Sequence, residues 1–522
     1  MTEELAALEV RRALPHTWGA FFGRFGRLQP IQILAIPLIL RGRNAIICSP
    51  TASGKTEAVV APVAELLLRE PPSGLGAIYI SPTRALLNDL YHRLVGPLST
   101  VGLSLAVKTA ERRMFNPLRP QTFLLATPES LDSLVCRSPH ALAQARFLIL
   151  DEIHLLDGTY RGDQLRLLTK RISHLSKLQP RCYALSATLA DVRETASRYF
   201  ADFEVLALPG ARELEYALFP SVTLALAEAR RRRLQKILVF CNRRKEVEDL
   251  ITECRRLWPQ DHLVAHHGKL SKPIREAAEQ FMRESKWGLC IATMTLEIGI
   301  DIGEIDLVIL YGAPWSVSSL LQRVGRGNRR KGRTLAFGVY RSPAERIQFE
   351  EMFELAKGGV VERTAYTPDL SVVVQQVFSC LYEHRTGIDR EFLFQLFSGF
   401  CSPAVVDRLL YHLESLGYVE LRRSKWFASP KVIEMGERGT VHSNIPETRD
   451  YRVLDETTGV TLGEISTAFV EGVFRIAGKA WRVVRIEGSR IYVRPASGGE
   501  VARFAPAAPQ GAFSKLLPPE LQ

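Results

Sequence analysis

Two α/β domains in tandem, then a winged-helix unit and a small antiparallel β unit, are the fold this 522-residue sequence predicts. Three observations carry that expectation. Short apolar runs alternate with longer amphipathic segments from residue 44 to 199 and again after Gln235, as buried parallel strands joined by crossover helices require. After Gly358-Gly359 three helix-length patterns precede a strand and a basic turn. Past Glu434 the segments become short and turn-punctuated.

In the first block the strand candidates are 45–48, 77–80, 123–126, 147–150 and 182–185. In the second they are 237–240, 288–292 and 307–310, with Pro209-Gly210 and Pro220 bracketing the junction. The helix patterns at 372–382, 390–397 and 404–416 lead into a strand at 417–421 and the run Arg422-Arg423-Ser424-Lys425-Trp426-Phe427, which together fit a winged helix. Runs at 451–454, 473–476, 481–486 and 491–494, separated by Thr458-Gly459, Ala477-Gly478 and Glu487-Gly488, read as the β unit. The expected domains are therefore 1–205, 206–358, 359–430 and 431–522.

A net charge of +12 directs attention to polyanionic partners, nucleic acid first. Eight scattered cysteines without a CxxC pair argue against a cysteine-built metal site and read as small buried hydrophobes in a reducing cytoplasm. No basic lead-in precedes an apolar stretch at the N-terminus, and no apolar run approaches ~18 residues, so neither a signal peptide nor a membrane span is expected.

The sharpest motif is Ser49-Pro50-Thr51-Ala52-Ser53-Gly54-Lys55-Thr56, set between an apolar strand and a helical stretch. That is the context of a phosphate-cradling Walker A loop, whose backbone N–H groups and helix end hold phosphate oxygens. Ser53, Gly54, Lys55 and Thr56 are the candidate ATP-binding residues, with Lys55 reaching the β/γ phosphates and the Thr56 hydroxyl on Mg²⁺. Ser49 stands where the first glycine usually does. About a hundred residues on, the apolar run at 147–150 enters Asp151-Glu152-Ile153-His154. Two acids at a strand's C-terminal edge place Asp151 to hold Mg²⁺ and Glu152 to polarise the attacking water. The arrangement Gln322-Arg323-Val324-Gly325-Arg326-Gly327-Asn328-Arg329 groups cations with a glutamine more specifically than a solvated basic face would. His266-His267 has no evident third metal ligand.

These blocks resemble the motifs of superfamily 2 helicases, which implies two RecA-like domains. By that resemblance Gln32 reads the adenine, and Thr83, Arg84 and Thr127 grip the strand from the first domain. Ser186-Ala187-Thr188 couples the two activities, Asn242 and Thr293 contact nucleic acid from the second domain, and Asp301 approaches the ribose. Gln322 helps position water, while Arg326 and Arg329 act as arginine fingers that neutralise charge on the transferred phosphoryl group. The Asp-Glu-Ile-His box, His266-His267-Gly268-Lys269-Leu270-Ser271, the run from Leu320 to Arg326 and the tail from His442 to Val493 resemble the Lhr (large helicase-related) family more closely.

The resemblance implies an ATP-dependent 3′-to-5′ translocase on single-stranded DNA that unwinds duplex DNA or RNA:DNA hybrids, serves DNA repair and works in the cytoplasm at the nucleoid. Gly327-Asn328-Arg329 departs from the family's Ser-Gly-His, and the chain carries a shortened C-terminal region where the family has a larger fourth domain. Two other readings stay open: an RNA helicase or remodeller, and a catalytically idle adaptor. Trp426, beside Arg422, Arg423 and Lys425, either stacks on a base or packs under the wing; Trp481 reads as core.

Overall fold

The computed structural model describes all residues except 1–2, 51–52, 113, 188, 209–212, 298–301, 328–332, 361–365, 447–450, 466–471, 477–478, 499, 502–509 and 522. The chain divides into two compact units, Met1–Leu208 with Arg363–Glu447 and Ala508–Gln522, and Pro209–Glu362 with Thr448–Ala507. Both motor-type sheets are parallel, and the fold class expected from the apolar periodicity is the one observed. Among the described residues no helix is long and apolar enough to cross a membrane.

The first unit is built on β1 (Asn44–Cys48), β2 (Ala77–Ile80), β3 (Leu105–Lys108), β4 (Phe123–Ala126), β5 (Phe147–Leu150), β6 (Arg181–Ser186) and β7 (Phe203–Ala207). They form one sheet in the order β3-β4-β2-β5-β6-β1-β7, every pair parallel. Alternate residues go to opposite faces. Ala45, Ile47, Tyr79, Ile149 and Leu185 join one core with the helices Pro30–Leu40, Lys55–Arg69 and Arg84–Thr100. Ile46, Cys48, Ile78, Leu148 and Leu150 join the other with Pro128–Arg137 and Tyr160–Leu175. A strand buried on both faces needs no polar alternation, which is why these read as plain apolar runs.

The winged helix belongs to this unit. Helices Ser371–Glu383, Arg390–Phe397 and Pro403–Ser415 pack with β14 (Ile388–Asp389), β15 (Val419–Arg422) and β16 (Lys425–Ala428) in an antiparallel sheet ordered β14-β16-β15. Trp426 is 2% exposed, meets Tyr411 edge to face and lies in the core of this region. The base-stacking expectation for Trp426 is thereby corrected: strand alternation turns the indole inward and its basic neighbours outward.

A buried polar network fastens the winged helix to the first sheet's helices. Asp132 accepts from Gln376 Nε2 (2.8 Å) and Ser379 Oγ (3.0 Å), and His442 Nδ1 lies 2.8 Å away. Arg171 donates to Gln376 (2.9 Å), Ser379 (2.7 Å) and Glu383 (2.5 Å), and pairs with Asp132 at 3.3 Å. Removing one partner leaves buried carboxylates uncompensated. Arg171→Ala is therefore expected to destabilise the first unit by ~3–5 kcal/mol, read as an earlier denaturant midpoint.

The second unit carries β8 (Glu213–Phe219), β9 (Lys236–Cys241), β10 (Leu263–His266), β11 (Gly288–Ala292), β12 (Leu307–Tyr311) and β13 (Arg333–Val339). Their order is β10-β11-β9-β12-β13-β8, again wholly parallel. The edge strands β3, β7, β8 and β10 and the inner strand β13 were not evident from sequence, because polar residues or glycine break up or bound their short apolar runs.

The last sheet comprises β17 (Tyr451–Asp455), β18 (Thr461–Ile465), β19 (Val473–Ile476), β20 (Lys479–Glu487), β21 (Arg490–Ala496) and β22 (Glu500–Val501), ordered β18-β17-β21-β20-β19-β22. The expectation of an antiparallel unit is corrected to a mixed sheet, since β17 pairs with β21 and β19 with β22 in parallel. Val453, Phe474, Trp481 and Ile491 share one apolar core with Ile237, Val239 and Ile309. Glu464 N donates to Lys269 O (2.7 Å), and a Cβ on Gly463 would stand 2.3 Å from that carbonyl. Only glycine permits this approach. Residues 431–438, expected to open the β unit, instead belong to helix Pro430–Arg438 in the first unit.

Candidate ATP site and nucleic-acid edge

Parallel strands deliver their C-terminal ends to one edge, and strand order decides which loops become neighbours. In the first sheet that edge reads, strand by strand, Thr127 after β4, Thr83 after β2, Asp151 after β5, Ser186 ending β6 and the 49–54 loop after β1. The residues expected to handle phosphate and magnesium lie at one end of the row, and those expected to grip a strand lie at the other.

The described residues at the two ends of the phosphate loop are braced on each other. Lys55 opens helix Lys55–Arg69, and its Nζ donates back to the carbonyls of Ser49 (2.5 Å) and Pro50 (3.0 Å). Ser49 Oγ and Ser53 Oγ are 2.6 Å apart. Gly54 has φ +84°, and a Cβ there would lie 2.3 Å from Gln32 Nε2. Gln32 donates from Nε2 to Gly54 O (3.2 Å) and accepts from Gln29 N at Oε1 (2.9 Å). The structure thus brings Gln32 to the loop across 22 residues of sequence.

Asp151, Glu152 and Lys55 share a nearly dry environment. Burial, then the neighbouring Glu152 carboxylate, push the Asp151 carboxyl up to about 7, against the pull of Lys55. Burial lowers the Lys55 ammonium, opposed by Glu152 and Asp151. Tyr79, fully buried on β2, interacts with both Asp151 and Thr56. Burial outweighs the pull of Lys55 and Arg93 on Asp151, and carboxylate with hydroxyl is a hard oxygen set that suits Mg²⁺.

Glu152 has φ +44°, the left-handed region that a non-glycine residue enters only at a cost of ~1–3 kcal/mol. This turn sends the chain into the short helix Ile153–Leu155 and brings His154 Nδ1 to 3.5 Å from Glu152 Oε2 and 3.1 Å from Ser186 Oγ. Burial holds the imidazole below its ordinary range, against Glu152. The His154 link between the acid pair and Ser186-Ala187 was not foreseen; the only sequence signal for it was the histidine of the Asp-Glu-Ile-His box. Thr188 lies outside the described residues.

Thr83 and Thr127 cap two helices that start side by side, since β2 and β4 are neighbours. Thr83 Oγ1 accepts from Leu86 N and Thr127 Oγ1 from Ser130 N, each at 3.3 Å. Capping occupies the hydroxyls and leaves the positive helix ends at the edge. Arg84 is exposed and pairs with Glu111 at 2.5 Å.

In the second unit Asn242 follows β9 with both ends of its carboxamide engaged: Nδ2 donates to Ala313 O (2.7 Å) and Oδ1 accepts from Arg323 (2.7 Å). Arg323 also meets Glu297 at 3.2 Å and is buried. Sequence reading passed over Arg323 for Arg326, although it falls on the buried face of helix Val317–Val324 with Leu320 and Val324. Arg326 is buried too and donates to Glu297 O from Nη2 (2.8 Å) and Nε (3.2 Å). Gln322 and Thr293 are buried, with Thr293 N donating to His266 O (3.1 Å). Arg329 and Asp301 lie outside the described residues.

Two other clusters attract a metal reading. His266 Nε2 lies 2.9 Å from Glu279 and His267 Nε2 lies 2.9 Å from Glu248, so the adjacent histidines serve separate carboxylates. Asp132, Cys136 and His442 offer donor atoms within 4.8 Å of one another. Arg171 already hydrogen-bonds the Cys136 sulfur (3.5 Å) and pairs with Asp132, supplying the positive charge there.

Comparison with known proteins follows the same division. Residues 29–195 match the DEAD/DEAH box helicase family and residues 221–331 the helicase conserved C-terminal domain. The ATP-dependent helicase Lhr-Core of Sulfolobus acidocaldarius is 28% identical over 94% of this chain and 62% of its own length. That of Methanothermobacter thermautotrophicus is 29% identical over 92% of this chain and 64% of its own. The chain thus spans less than two thirds of these relatives. The structure of Mycobacterium smegmatis helicase Lhr bound to ssDNA and AMP-PNP superposes with TM-score 0.71 at 24% identity, covering 85% of this chain and 63% of that one. The DUF1998 helicase MrfA bound to DNA does so with TM-score 0.75 at 20% identity, over 92% of this chain and 69% of that one. At these identities the structures testify to the fold.

Proposed function

We propose that this chain, which carries the two motor domains of superfamily 2 and resembles the Lhr-Core helicases along nearly its whole length, hydrolyses ATP to move along and separate nucleic-acid strands. The observation that carries the reading is the first sheet's edge. One row of loops sets two helix N-termini beside the acid pair, with Ser186, in contact with His154, between the acid pair and the phosphate loop.

Lys55 exchanges its contacts with the Ser49 and Pro50 carbonyls for phosphate oxygens of ATP, while the loop amides and helix end hold the rest. Gln32, braced on Gly54, reads the adenine; Asp301 approaches the ribose. Asp151 and Thr56 would hold Mg²⁺, which when bound neutralises charge on the phosphates. Glu152 orients and polarises the attacking water with help from Gln322. Arg326 and Arg329 neutralise charge on the transferred phosphoryl group. Helix N-termini at Thr83 and Thr127, with Arg84 and Thr293, hold the strand's phosphates. Asn242 acts by fixing Arg323 and the Ala313 loop.

The finer assignment rests on resemblance: 3′-to-5′ movement on single-stranded DNA, unwinding of DNA or RNA:DNA duplexes, and service to DNA repair in the cytoplasm at the nucleoid. The smegmatis Lhr bound to ssDNA and AMP-PNP supports the choice of single-stranded DNA. Strand displacement on DNA:DNA, RNA:DNA and RNA:RNA forks with opposite overhangs tests it. Release from 3′-tailed DNA and RNA:DNA forks is expected; release confined to RNA:RNA or to 5′ tails refutes it.

A further inference from the structure

We infer that Trp315, with Met294 as its flank, forms a stacking platform for unpaired nucleobases on the second motor domain, a site that deepens and rests on the strand-moving reading above. Strands β11, β9 and β12 are adjacent and parallel, so their following loops emerge side by side. Met294 follows β11 and is 58% exposed; Trp315 follows β12 and is 73% exposed. With strands ~4.8 Å apart, the two flanking strands stand ~10 Å from each other. Between them, after β9, come Arg243 and Lys245, both exposed.

The loop that presents the indole is pinned. Its Ala313 carbonyl accepts from Asn242 (2.7 Å) and its Ala313 N–H donates to Glu345 Oε1 (3.1 Å). Gly312 turns it at φ +84°, and Ser316 Oγ caps the next helix by accepting from Ser319 N (3.1 Å). A single exposed apolar residue is ordinary on a protein surface. Here an aromatic face, a polarisable thioether and two cations share one edge with Thr293. That combination meets the two needs of sequence-tolerant single-strand binding: a π surface for any base and positive charge for its backbone. Cations at the centre of so small an apolar area suit a polyanion better than a protein partner.

The test uses the full chain with two labelled strands of equal length, oligothymidylate and its abasic counterpart. Trp315 is exposed, so Trp315→Ala opens no cavity. Stacking of one base predicts that Trp315→Ala raises Kd for oligothymidylate ~5–150-fold. Trp315→Phe should restore most of the affinity, and Met294→Ala should cost less than Trp315→Ala. Wild type and Trp315→Ala should bind the abasic strand equally. Unchanged oligothymidylate binding by Trp315→Ala overturns the platform, as does an equal loss on the abasic strand. Wild-type chain that binds neither strand overturns the strand-moving reading, and the platform with it.

Discussion

Glu152→Gln is expected to lower ATP turnover ~10²–10⁴-fold while nucleotide binding persists. The substitution keeps size and hydrogen-bonding capacity but removes the charge that polarises water. Glu152 is held on a left-handed turn beside His154, so the position of the side chain is set by the backbone rather than by its charge. Steady-state turnover, with a fluorescent nucleotide to measure binding, separates the two effects. Turnover near the wild-type rate would move the water-activating role elsewhere on the edge. Lys55→Ala should instead reduce nucleotide binding and turnover together, because Lys55 is the buried cation of the phosphate loop.

Arg326→Ala is the other large effect, an expected ~10³–10⁵-fold fall in kcat if its guanidinium acts as the finger. Arg326 is buried against Glu297 O, so its removal also leaves a backbone acceptor unmet. Thermal unfolding and single-strand binding, measured alongside turnover, distinguish lost chemistry from lost fold. A lysine cannot restore the forked geometry of guanidinium, and Arg326→Lys should remain well below wild type. Full activity in a stably folded Arg326→Ala would remove it from the mechanism and leave Arg329 to carry the role.

Central strands and phosphate chemistry were legible in the sequence because each has a strong local pattern. β1, β2, β4 and β5 are uninterrupted apolar runs, and Ser53-Gly54-Lys55-Thr56 demands a strand before it and a helix after it. Relations across the sheet were not legible. Nothing near Gln32 announces its bond to Gly54, and nothing near His154 announces Ser186. Arg323 was given no role of its own, because one residue's burial depends on what its helix packs against. Trp426 left two readings open for the same reason: a tryptophan between basic residues has the composition of a nucleic-acid contact, but strand alternation buries it under the wing. The polar network around Asp132 joins residues as far apart as 132 and 442, and no local pattern encodes it.

ATP turnover by the full wild-type chain, measured with and without single-stranded DNA across a salt series, tests most directly whether hydrolysis and strand movement share one machine. Turnover should rise when the strand is added, and the strand concentration needed should climb steeply with salt, because counterion release drives backbone binding. A rate indifferent to the strand at every salt concentration would contradict that coupling.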